Sequence, residues 1–314
     1  MAICSTHVSD APRGRRAERP DELWHSPHVR AALARIDPVW MVLIGIASVQ
    51  LGAAFAKDLF ATTTPVATAW LRLCFSSLIF LTFARPRVRG RGPREWVIVG
   101  SYGVALAGMN WAIYESFARI PIGVAVTVEF LGPLAVAVAG SRRARDLIWV
   151  GLAALGVALL GLQPIDPDWV GLGLALLAGA QWAAYILLAG PTGRHFEGVS
   201  GVTVASLIGV VMLAVPALTL GTPVVNLHVL GVALAVGLLS SVIPYGLEMV
   251  ALRRMRAGLF GILMSLEPAA AALFALLVLG ELLTWIEGAA MACVVVASVG
   301  ATRARKASEP PLID

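Results

Sequence analysis

From position 39 to position 301 the chain alternates between long apolar runs and short polar breaks. A helix needs about 20 mostly apolar residues to cross the hydrocarbon of a bilayer. Ten segments meet that need, at 39–56, 66–84, 96–116, 122–140, 147–163, 169–189, 200–219, 228–249, 257–279 and 283–301. The narrowest division is "ARIP", which separates the third segment from the fourth. The pattern predicts an all-α integral membrane protein.

The basic residues sort with the breaks. If the N-terminus lies in the cytoplasm and the segments alternate, the inner breaks are the N-terminal tail, "RPRVRGRGPR", "SRRAR", "PTGRHFEG", "RRMR" and the C-terminal "RARK". Together they hold 21 of the 24 Lys and Arg. Lys57 and Arg119 fall outside, and Arg72 falls within a span. Cytoplasmic loops are enriched in Lys and Arg, so ten spans with both termini cytoplasmic is the expected topology. The composition agrees: 58% of the residues are hydrophobic and only 14% charged, against about 25% charged in a soluble domain. The net charge of +5 therefore marks topology rather than nucleic-acid binding. Residues 1–37 carry arginines, acids and prolines without a long apolar run. They are expected to form a disordered basic cytoplasmic tail with possible contact to anionic lipid. Residues 303–314 are expected to form a shorter C-terminal tail.

The two halves resemble each other. At a shift of 135 residues Arg119 meets Arg254, Gly123 meets Gly258, Pro133 meets Pro268 and Asp146 meets Glu281. At a shift of 131, Gln50 meets Gln181. These matches predict one five-helix repeat at 38–164 and a second at 165–302. Because five is odd, the second copy must be inverted in the membrane, an arrangement typical of transporters with a substrate site near the midplane.

Charges inside such spans are costly, about 2.5–3.5 kcal/mol on insertion scales. Glu129 lies in "VTVEFLGPL", about 12 Å into the fourth span at 1.5 Å per residue. Glu267 lies in "MSLEPAAA" in the ninth, Arg72 in "TAWLRLCF" in the second, and Glu248 in "YGLEMVAL" in the eighth. By the repeat, Glu129 corresponds to Met264 and Glu267 to Gly132, so the two carboxylates differ by three residues and share a helix face. Each also stands within a turn of a proline, which frees backbone carbonyls where a cavity can accept them. Glu129, Glu267, Glu248 and Arg72 are candidates for substrate or proton binding, with Arg72 the candidate for a substrate carboxylate. The alternative is a structural ion pair, with Arg72 as the partner. Glu248 has the further alternative of reaching the inner interface. Gln50, Asn110, Tyr114, Gln181, Trp182, Tyr185 and Tyr245 are the polar and aromatic candidates that would complete a cavity. Trp40, Trp96, Trp169 and Trp285 stand at span ends and read as an interfacial belt.

No constellation suggests catalysis. The three cysteines are scattered, no metal motif or P-loop occurs, and His7, His25, His28, His195 and His228 fall in the tail or in loops. No cofactor and no metal site are expected, and a membrane-embedded enzyme is the distant alternative.

The stretches "ASVQLGAAFAKDLF", "MNWAIYESFARIPIGVAVTVEFLGPLAVAV" and "IPYGLEMVALRRMRAGLFGILMSLEPAAAALFALLVLGE" resemble the EamA branch of the drug/metabolite transporter superfamily. Within that branch they are most similar to bacterial inner-membrane exporters of small amino acids. The resemblance covers roughly residues 38–302. It implies a ten-helix inverted-repeat fold, export of threonine- or homoserine-like amino acids driven by the proton gradient, and a central cavity where Glu129 and Glu267 would lie. The same fold would also serve a purine, a sugar derivative or a drug. The long arginine-rich N-terminal tail departs from the compact pattern of the family.

Overall fold

The computed structural model describes residues 36–84, 86, 88–139, 147–160, 168–196, 199–220, 226–252 and 254–306. The N-terminal tail, apart from its last two residues, lies outside them, as do the "SRRAR" loop and the last eight residues. All regular structure among the described residues is helical. Among the described residues, nine helical segments are long and apolar enough to cross a membrane, and the apolar helix Leu147–Leu160 is shorter.

Side-chain caps and prolines start the helices. Asp37 accepts a hydrogen bond from Val39 N at 2.8 Å and Pro38 opens α1 (Pro38–Asp58). Thr64 caps α2 (Pro65–Phe83) through Ala67 N, again with proline in the first turn. A proline there costs nothing, because its missing N–H would have had no helical acceptor. Pro93 likewise opens α3 (Pro93–Phe117).

The fourth apolar segment is broken. α4 (Ile122–Glu129) stops, Phe130 turns, and α5 (Leu131–Ala139) resumes. Then come α6 (Leu147–Leu160), α7 (Trp169–His195) and α8 (Ser200–Thr219). The eighth segment is α9 (Leu227–Gly237), a π-turn at Leu238–Val242, and α10 (Ile243–Leu252). The ninth is broken like the fourth, into α11 (Ala257–Met264) and α12 (Glu267–Leu279), and α13 (Trp285–Lys306) follows.

The two breaks have the same cause and the same register. Pro133 cannot donate to the carbonyl of Glu129, nor Pro268 to that of Met264, and those residues end α4 and α11. The two half-helices are both eight residues long and lie 135 positions apart.

Packing follows a matching pattern. Counting the apolar segments from one to ten, three packs along six and eight along one. Four packs on six and nine on one; seven packs on three and two on eight. Five meets ten, four meets nine and two meets seven. Each of these contacts maps onto another, or onto itself, when five is added to both partners.

Some boundaries differ from the sequence expectation. α7 runs to His195, six residues past 189, because "GPTG" does not stop it: Thr192 is buried, with its methyl against Gly201. α13 runs to Lys306, so the first part of the expected C-terminal tail is helical. The four tryptophans at span ends are exposed, from 41% for Trp96 to 81% for Trp285.

Polar contacts gather at the helix ends. At one end, Lys57 Nζ lies 2.6 Å from Glu281 Oε1 and donates to the Ile120 carbonyl at 3.0 Å, while Ile122 N donates to Glu281 Oε2 at 2.9 Å. Gly280, with φ of +70°, turns the chain after α12 and delivers Glu281 to this clasp. Arg119 meets Asp168 at 3.6 Å, on the same side of the alternation. At the opposite helix ends, Glu95 holds Arg91 at 3.0 Å and His195 at 3.3 Å, and Arg254 donates to the Ile36 carbonyl.

Candidate transport cavity

The helices line a cavity of about 210 Å³. Ten of the eleven candidate side chains line it: Gln50 from α1, Arg72 from α2, Asn110 and Tyr114 from α3, Glu129 from α4, Trp182 and Tyr185 from α7, Tyr245 and Glu248 from α10, and Glu267 from α12. Gln181 does not. Its amide packs over Gly108 in the interface of α3 with α7.

Among the described residues, Arg72 makes no direct ion-pair contact with a carboxylate, although its charge acts on Glu129. Its Nη2 donates to the Ser240 carbonyl at 2.9 Å, its Nη1 to the Tyr114 hydroxyl at 3.3 Å and its Nε to the Ser241 hydroxyl at 3.4 Å. The guanidinium also lies 5.7 Å from the centre of the Tyr114 ring. The π-turn makes this possible. Pro244 cannot donate to Ser240, four residues earlier, so that carbonyl is free to accept from Arg72. A guanidinium has five N–H donors, and here it is held by neutral groups alone. Its charge is thus uncompensated by contact and can serve an anionic group in the cavity.

The three carboxylates line the same cavity as Arg72. Glu129 is 8% exposed and Glu267 6%, and each stands at a helix break. Glu248 lies against Gly45 of α1. Among the described residues, no hydrogen bond or ion pair holds the carboxyl group of any of the three. A carboxylate this enclosed and unpartnered is costly unless it faces a polar space, which the cavity provides.

Aromatic rings bound the site. Trp182 meets Phe130 edge-on at 5.6 Å, beside the break at Glu129. Tyr185 stacks on Tyr102 at 4.6 Å, and Tyr245 meets Phe80 at 6.0 Å. Sequence reasoning missed Ser240, Ser241 and Ser206, which also line the cavity. The one available signal was Pro244, four residues after Ser240.

A membrane protein whose broken helices surround a charged internal cavity is built as a transporter. Comparisons with known proteins agree. Residues 169–303 match the EamA-like transporter family. The chain is 41% identical over 274 residues to the threonine/homoserine exporter RhtA of Escherichia coli K12, covering 84% of this chain and 92% of that protein. It matches the exporter of the same name from Salmonella typhimurium LT2 with the same identity and coverage. The chain therefore belongs to the EamA-like transporter family. One solved crystal structure, of a protein 18% identical in sequence, shares the fold with a TM-score of 0.58 over 86% of this chain and 99% of its own.

Proposed function

We propose that this protein is a secondary active transporter of the bacterial inner membrane that exports small amino acids of the threonine and homoserine kind in exchange for protons. The observation that carries the substrate is the 41% identity, over 84% of the chain, to exporters of those two amino acids. The cavity supplies matching chemistry. Arg72, held only by neutral groups, takes the substrate carboxylate. Glu129, Glu267 and Glu248 offer acceptors for the ammonium group, and Glu129 or Glu267 carries the proton when the substrate is absent. A volume of about 210 Å³ suits a small amino acid and falls below the roughly 300 Å³ at which pockets for drug-sized ligands begin.

The proposal includes ten spans in two inverted repeats, 38–164 and 165–302, with both termini in the cytoplasm. The equal half-helices 135 positions apart and the packing pattern repeated at five segments favour the duplication. Helix ends that the alternation assigns to one side also meet one another: Lys57 with Glu281, Arg119 with Asp168, and on the other side Glu95 with His195. On this topology the Lys57–Glu281 clasp joins the two repeats at the outer face. It has to part when the cavity opens outward as the repeats rock.

Net transport tests the function. Liposomes containing the purified protein are loaded with labelled threonine or homoserine and placed in an acidic medium. Efflux faster than from protein-free liposomes, and faster still with the pH gradient than without it, is the expected result. No efflux of either amino acid from folded protein would overturn the substrate.

A further inference from the structure

The cavity holds three polar groups that Arg72 and the carboxylates do not use. Gln50 is 2% exposed, Asn110 1% and Ser240 6%, and Gln50 Oε1, Asn110 Oδ1 and Ser240 Oγ have no hydrogen-bond partner in the protein. The orientation of Asn110 follows from its other bond: its Nδ2 donates to the Leu106 carbonyl at 2.8 Å, which leaves Oδ1 as the open acceptor.

These groups belong to the cavity that Arg72 also lines. Ser240 gives its backbone carbonyl to Arg72. Asn110 stands one helical turn before Tyr114, whose hydroxyl accepts from Arg72. Gln50 of α1 lines the same cavity as Arg72, Asn110 and Ser240. Two amide oxygens and a hydroxyl in a buried wall are costly when unpaired and match a donor on the ligand. The ammonium group of an amino acid has carboxylates to choose from elsewhere in the cavity. The remaining donor of threonine or homoserine is its side-chain hydroxyl.

We propose that Gln50, Asn110 and Ser240 form a hydroxyl-recognition subsite, so that the transporter selects hydroxylated small amino acids over their apolar isosteres. The inference rests on the amino-acid reading above and adds the residues that set its selectivity. Threonine and valine have nearly the same shape and share both charged ends. Valine would put a methyl group where the amide oxygens need a donor. Leaving one buried polar group unpaired corresponds to roughly a five- to hundredfold loss of affinity.

Proteoliposomes carrying wild-type protein, and protein with Asn110→Leu or Gln50→Leu, are assayed for exchange of labelled threonine against competing threonine or valine. Wild type should prefer threonine over valine by at least about fivefold, and the two variants should bring that ratio close to one. Thermal unfolding of the wild-type protein in detergent gives a second measurement that needs no variant: threonine should raise Tm at concentrations where valine does not. If wild type exchanges and binds both amino acids alike, or if folded variants keep the wild-type ratio, the subsite is overturned while amino-acid transport stands. If wild type carries neither amino acid, the amino-acid reading fails and the subsite fails with it.

Discussion

Gly132→Val is expected to prevent the protein from reaching a stable fold. A Cβ at position 132 would sit against the backbone carbonyl of Gly179, 2.6 Å from its carbon and nearer still to its oxygen. A Cβ at position 179 would in turn lie 2.6 Å from the backbone oxygen of Glu129. The break after α4 is thus seated on α7 backbone to backbone, and no side chain can swing aside to make room. Overpacking in a tight core usually costs about 1–3 kcal/mol, and a contact between two backbones lies at or beyond the top of that range. Gly173 lies on the same helix α7 and has nothing within 4 Å of its Cβ position. Gly173→Ala should therefore be neutral or slightly stabilising, since alanine is favoured over glycine by about 1 kcal/mol in helices. Thermal unfolding and elution in detergent separate the two cases. A Gly132→Val protein with the wild-type Tm would contradict the close approach.

Glu129→Gln should uncouple transport from the proton gradient. Glutamine has nearly the shape of a protonated glutamate and cannot give up the proton, so the break and its packing on Gly179 are kept. Exchange of labelled for unlabelled threonine, in which the substrate remains bound on each crossing, should persist. Stimulation of net efflux by an acidic outer medium should fall to the level without a gradient. The same change at Glu267, which lines the same cavity, distinguishes one proton carrier from a shared one. Full gradient-driven efflux in Glu129→Gln would remove Glu129 from the coupling.

The sequence and the structure agree most where chemistry is written in single residues. The spans were legible because lipid demands long apolar runs, and Glu129, Glu267 and Arg72 were legible because charge is rare within them. The breaks were legible through Pro133 and Pro268. The surroundings of Arg72 were not. Serines in "LLSSV" barely change the hydropathy of a span, and a backbone carbonyl released by Pro244 leaves no mark in the side-chain pattern. Arg72 could be read either as the partner of a carboxylate in the protein or as a site for the substrate's, and the neutral acceptors that the π-turn gives it were not legible at all. Gln50 and Gln181 looked equivalent under the repeat, yet only Gln50 reaches the cavity. Segments that match in packing pattern here differ in their lining side chains. The end of α7 was misplaced for a local reason, since glycine and proline signals at 190–193 yield to the burial of Thr192.

The central claim is a carrier that binds a small amino acid in a cavity reached from each side in turn. Counterflow tests it most directly. Proteoliposomes preloaded with unlabelled threonine are diluted into a trace of labelled threonine, with no pH gradient. A carrier should accumulate label transiently above the outside concentration, because inward crossings with label are paired with outward crossings of the unlabelled pool. Label that only equilibrates, or enters no faster than into protein-free liposomes, would contradict the account.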